Sequence, residues 1–195
     1  MLWLRPMEQA GARALPGTED AQHPFWSPDS SWIGFFAEGK MKKTPAAGGA
    51  VQVVVPTAAE PRGGTWGPDG TIVFGSGNGP VLRVASSGGP VTPASVLARG
   101  NHRFPQFLPD GRHFLRLVLT SEQSGVYAAS LDDKTTKLLV RTITSAVYAP
   151  PGYLLFVDGD TLLGEAFNAD RLEVSGQPFT HHRRAQLDRR VEEVR

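Results

Sequence analysis

Five places in the sequence carry residue types that could do chemistry. Gly75-Ser76-Gly77-Asn78-Gly79 has the glycine density of a loop that cradles a phosphate. Such a loop needs a following helix, whose first N–H groups face the anion, and a lysine; neither is in the sequence pattern here. It reads as a turn between two strands. His102-Arg103 opens as the catalytic loop of a protein kinase does, but no Asp follows, and neither Asp-Phe-Gly nor a Val-Ala-Ile-Lys strand occurs. No Gly-x-Ser-x-Gly elbow is present either, so hydrolase chemistry of that type has no nucleophile. Asp158-Gly159-Asp160 offers two carboxylates, too few for the six to eight oxygens that calcium takes; Asp and Gly there favour a tight exposed turn. His181 and His182 are sequence neighbours, whose side chains diverge on a strand or a helix. Lys40, Lys42 and Lys43, with Arg83, form a small basic group: a solvated strand face or a docking patch for an acidic partner.

The sequence therefore assigns no catalytic residue, no cofactor and no metal. Composition narrows the classes further. Of 195 residues, 40% are hydrophobic, enough for a core, and the formal net charge of +1 gives no global field to attract nucleic acid. The chain has no cysteine, so disulfides and thiolate metal sites are excluded. No apolar run approaches the roughly 18 residues of a membrane helix, and the N-terminus lacks the basic-then-apolar pattern of a signal peptide, so no membrane insertion by this chain is expected. The 22 Gly and 16 Pro are spread evenly, as punctuation between many short elements.

Those elements repeat. Pro24-Phe25-Trp26-Ser27-Pro28-Asp29-Ser30 returns as Thr65-Trp66-Gly67-Pro68-Asp69-Gly70, as Pro105-Gln106-Phe107-Leu108-Pro109-Asp110-Gly111, and in worn form as Val147-Tyr148-Ala149-Pro150-Pro151-Gly152. The aromatics Trp26, Trp66, Phe107 and Tyr148 recur about every 40 residues, the period of a four-stranded propeller blade. Pro presets the first corner of a turn, Asp suits the second, and Gly takes the left-handed conformation that closes a hairpin. Ser30 in place of that Gly predicts slight strain. A second hairpin follows in each copy, through turns at Ala47-Gly48-Gly49, Ser87-Gly88-Gly89, Asp132-Asp133-Lys134 and Asn168-Ala169-Asp170. The repeat anchors Trp26, Pro28, Asp29, Trp66, Pro68, Asp69, Gly70, Phe107, Pro109, Asp110, Gly111, Tyr148, Pro151 and Gly152 are thus structural, and the four aromatics are expected in the core between blades.

These hairpins resemble those of TolB-type, WD-repeat-like β-propellers over residues 1–177. The phrases Leu2-Trp3-Leu4-Arg5-Pro6 and Lys43-Thr44-Pro45-Ala46-Ala47-Gly48-Gly49 resemble, more narrowly, the propeller regions of bacterial eukaryotic-like serine/threonine kinases. That resemblance implies a non-catalytic interaction or sensing segment, binding protein or a small ligand at a propeller rim, and extracytoplasmic in a membrane-anchored protein. A propeller that gates an oligopeptidase-type hydrolase and a TolB-like periplasmic scaffold are the alternatives.

The expected organisation is all-β. Residues 1–20 read as the outer hairpin of an incomplete blade, followed by four four-stranded blades at 22–56, 63–97, 103–140 and 145–177. That is 18 strands in an open arc, with exposed terminal faces and edges prone to self-association. Residues 178–195 read as a charged tail. Leu187, Val191 and Val194 fall on a helical stripe, so the tail is a short surface helix or the scar of a truncation.

Overall fold

The structure is a computed structural model that describes residues 1–57, 60–95, 100–133 and 135–180. Among these residues there are 18 strands and no helix. A two-stranded unit, β1 (Leu2–Leu4) and β2 (Arg13–Leu15), comes first. Four antiparallel sheets follow, each with its strands in chain order. Blade 1 holds β3 (Gln22–Trp26), β4 (Trp32–Ala37), β5 (Lys40–Pro45) and β6 (Gln52–Pro56). Blade 2 holds β7 (Pro61–Trp66), β8 (Thr71–Ser76), β9 (Leu82–Ala85) and β10 (Thr92–Pro93). Blade 3 holds β11 (Asn101–Phe107), β12 (His113–Leu119), β13 (Gly125–Ser130) and β14 (Thr136–Val140). Blade 4 holds β15 (Ala146–Ala149), β16 (Tyr153–Asp158), β17 (Thr161–Asn168) and β18 (Glu173–Thr180). The last strand runs through Thr180, so Pro178, Phe179 and Thr180 belong to blade 4 and not to a tail. The expected helix at residues 181–195, with His181 and His182, lies outside the described residues.

The repeated turn behaves as its chemistry requires. The N–H of Ser30, Gly70 and Gly111 donates to the carbonyl three residues back, at 2.9, 3.1 and 3.0 Å. All three residues have positive φ, including the non-glycine Ser30 at 58°, where a side chain adds strain. The preceding Asp fixes the loop from inside: Asp29, Asp69 and Asp110 accept from the N–H of Ser31, Thr71 and Arg112 at 3.0, 2.9 and 3.0 Å. Ser27 and Ser31 also donate hydroxyls to Asp29, and these bonds hold its carboxyl down at about 2.

Register makes the blades equivalent residue by residue. Trp26, Trp66, Phe107 and Tyr148 stand opposite Ile33, Ile72, Phe114 and Leu154. Three apolar clusters fill the spaces between successive blades. Phe25, Phe36 and Met41 meet Ile72 and Phe74; Val73 and Val81 meet Phe114; Leu108 and Leu115 meet Leu154 and Phe156. Each sheet buries both faces only by having a neighbour on each side.

The expectation that all four repeat aromatics lie in the core is corrected here. Trp66, Phe107 and Tyr148 are partly buried walls of these three clusters, whereas Trp26 is 48% exposed. Its side faces the preceding unit, and β1 and β2 supply no inner strands to cover it. Phe25 is the buried aromatic of that strand, pressed so closely on Gly64 of the next blade that a Cβ there would lie 2.6 Å from its ring.

Candidate functional site

The basic group read from the sequence does not form a patch. Lys42 pairs with Glu38 at 2.5 Å. Lys43 reaches into the next blade, donating from Nζ to the Ser86 carbonyl at 2.9 Å and lying 4.9 Å from the Trp32 ring centre. Arg83 holds the equivalent position in blade 2 and points at the Leu131 carbonyl of blade 3, 3.4 Å away. Arg13 of β2 donates to the Ala46 carbonyl of blade 1. Ala46, Ser86 and Leu131 each follow the third strand of their blade. A cation from the preceding unit therefore clamps this turn three times in succession, and the half-blade sits on blade 1 as the full blades sit on one another.

The other candidates resolve plainly. Gly75 and Ser76 end β8 and Gly77 to Gly79 form the bend before β9, where the Gly79 carbonyl accepts from the His102 N–H at 3.1 Å. Asp158-Gly159-Asp160 is the exposed turn between β16 and β17. Among the described residues, no three His, Cys, Asp or Glu side chains are grouped to hold a metal ion, and no helix is long and apolar enough to cross a membrane.

The residue that sequence reasoning missed is Arg116. It lies on β12, is 1% exposed, and belongs to the blade 2–blade 3 side of its sheet along with Phe114. Nη1 donates to Ser95 Oγ and, at 2.9 Å, to His102 Nδ1; Nη2 donates to Thr136 Oγ1 at 3.2 Å. Nε has no hydrogen-bond partner. Among the described residues no carboxylate forms an ion pair with it. Burial pushes the guanidinium down to about 10, so it remains charged at neutral pH. A cavity of about 430 Å³ opens beside it, lined by Gly100, Val118, Thr120, Ser121, Gln123 and Tyr127 among others. The signal was present in the sequence: two residues beyond Ile33, Ile72 and Leu154 stand Phe35, Phe74 and Phe156, and two beyond Phe114 stands an arginine.

A second feature is the outward face of blade 4. Val147, Tyr153, Val157, Leu162 and Phe179 are all exposed on it. Tyr153 and Phe179 meet edge to face at 5.7 Å, over Gly164. Val157 is 40% exposed, while its equivalents Leu117 and Phe36, in blades with a successor, are 3% and 2% exposed.

With four meandering sheets stacked face to face and one outward face bare, the architecture is settled. The chain is a partial, open β-propeller. Solved propellers superpose on it at low sequence identity. TolB from Acinetobacter baumannii matches with a TM-score of 0.63 at 16% identity, over 80% of this chain and 44% of that one. A gluconolactonase from Xanthomonas campestris matches at 0.66 and 10%, over 82% and 61%. A calcium-binding regucalcin from Agrobacterium tumefaciens matches at 0.62 and 15%, over 82% and 58%. The chain spans about half the length of these propellers. No protein-family profile matches the chain. No curated protein matches it by sequence.

Proposed function

We propose that this chain is a non-catalytic propeller segment that works through interaction, within a larger bacterial serine/threonine protein kinase. The observation that carries the interaction role is the bare face of blade 4. Its side chains occupy register positions that the earlier blades bury beneath a following sheet, and solvent-exposed apolar areas of this kind mark contact surfaces. The occupant of that face is a further sheet of the same kind, with an aromatic at the position of Trp66, Phe107 and Tyr148 to seat on Val147 and Leu155. The kinase setting is supported by the resemblance of Leu2–Pro6 and Lys43–Gly49 to kinase-linked propellers.

The test is the association state of the chain in sedimentation velocity. The bare face should make it self-associate, and L162D, which places a carboxylate on the exposed face without touching the core, should return it to monomer. A wild-type chain that stays monomeric at high concentration would remove the reason for assigning contact to this face. Incubation with labelled ATP and casein, or with gluconolactone, should give turnover no higher than buffer; turnover lost on mutating a residue of this chain would overturn the non-catalytic reading.

A further inference from the structure

The bend between β8 and β9 leaves one reactive pair of groups unrestrained. Asn78 is exposed and is followed by Gly79, whose φ of 105° suits glycine alone. Among the described residues nothing donates to or accepts from the Asn78 side-chain amide, and the Gly79 N–H has no acceptor. The peptide nitrogen that follows an asparagine can close a five-membered ring on its Cγ, and glycine there presents no side chain to block the approach. Ser76 assists. Its hydroxyl donates at 3.1 Å to the Asn78 carbonyl, which belongs to the same peptide unit as the attacking nitrogen. That bond polarises the peptide and eases loss of its N–H proton. Comparable sites elsewhere are held. In Asp69-Gly70 and Asp110-Gly111 the glycine N–H donates three residues back, at 3.1 and 3.0 Å. Asn168 Oδ1 accepts from the Arg171 N–H at 2.9 Å, and Asn101 lies within β11.

We propose that Asn78 is a site of spontaneous, Ser76-assisted conversion to aspartate and isoaspartate, and that the isoaspartate form loosens the joint between blades 2 and 3. The Gly79 nitrogen gives up its proton and bonds to Asn78 Cγ. The Cγ–Nδ2 bond breaks, and the side-chain nitrogen leaves as ammonia with that proton. One water then opens the succinimide. Opening at Cγ gives aspartate; opening at the main-chain carbonyl gives isoaspartate. Both products add a negative charge, but only isoaspartate routes the backbone through Cγ and lengthens it by one atom. The extra atom enters directly before Gly79, whose carbonyl accepts from the N–H of buried His102 at 3.1 Å. His102 Nδ1 in turn meets Arg116 Nη1 at 2.9 Å. A displaced bend therefore acts on the first two strands of blade 3. This inference is independent of the contact role of blade 4.

Incubation of the full chain in warm, mildly alkaline buffer, sampled over time by mass-spectrometric peptide mapping, tests it. The free peptide Gly-Ser-Gly-Asn-Gly-Pro, with the sequence of residues 75–80, runs alongside as the unrestrained reference. In the folded chain Asn78 should lose its amide at a rate comparable with the peptide and give both products, while Asn101 and Asn168 keep theirs. S76A should convert more slowly, and N78Q, which would have to close a larger ring, should keep its amide. The isoaspartate form, separated by chromatography, should unfold at a lower urea midpoint than N78D, which carries the same charge on an ordinary backbone. An Asn78 that stays intact in the folded chain while the peptide converts, or conversion led by Asn101 or Asn168, overturns the site. S76A at the wild-type rate overturns the part given to Ser76. Equal urea midpoints for the isoaspartate form and N78D overturn the loosening of the joint.

Discussion

Lys43 Nζ donates 2.9 Å to the carbonyl oxygen of Ser86, which lies one blade further on. The same reach is made by Arg83 to Leu131 and by Arg13 to Ala46, so the contact belongs to the repeat and not to a local accident. Lys43 also lies 6.0 Å from the Trp66 ring centre, between two indoles of different blades. K43M keeps the aliphatic stem and removes the donor. It should lower stability by about 1 kcal/mol, seen as a lower urea midpoint with an unchanged slope.

The aromatics of the repeat should separate by burial and not by type. Phe114, fully buried between blades 2 and 3, should cost about 3–5 kcal/mol on truncation to Ala. Trp26, although larger, is half exposed, since β1 and β2 do not cover it. Its W26A variant should cost less than half as much as F114A in the same urea experiment. Equal costs would mean that Trp26 is covered in solution.

Asp29 should make the first turn acid-sensitive. Hydrogen bonds from Ser27 and Ser31 hold its carboxyl at about 2, below the ordinary 3.8. A depressed carboxyl favours the folded state while ionised, so its contribution is present above about pH 4 and is lost as pH falls toward 2. D29N should therefore be less stable than wild type at pH 6, and the gap between the two urea midpoints should close between pH 4 and pH 2. A gap that persists at pH 2 would assign the effect to turn geometry alone.

The blades were legible because their punctuation is local. Pro-Asp-Gly sets a turn within four residues, and the four copies place 16 of the 18 strands without any long-range information. Burial was less legible, because it depends on what stands on the other side. Trp26 and Trp66 look alike in sequence, and only what the preceding unit lays against each tells them apart. The partners of the basic group were hidden for the same reason: Lys43 and Arg83, read as a solvated face or a docking patch, reach carbonyls 43 and 48 residues away, although Arg83 stays exposed. Arg116 sits inside the run Phe114-Leu115-Arg116-Leu117-Val118 and reads as a strand residue until the four copies are laid in register. The end of blade 4 was drawn three residues short, at 177, whereas its outer strand runs on through Pro178 to Thr180.

Among the described residues, every cation clamp and every apolar cluster joins a unit to its immediate successor, while one ring contact, His23 of blade 1 with Phe104 of blade 3 at 5.8 Å, crosses between the first strands of alternate blades. The Phe107 N–H donates to Thr65 Oγ1 and the Tyr148 N–H to Gln106 Oε1, each across 42 residues. No described hydrogen bond skips a blade. Order along the chain is therefore order in space, and a load applied at the two ends meets the seams in series but for the small His23–Phe104 contact. Pulled in an optical trap, the arc should yield sheet by sheet, each rupture releasing about 40 residues, or roughly 140 Å of contour. The seam at Arg116, with a polar group where its neighbours hold Phe, is the natural place for the first step.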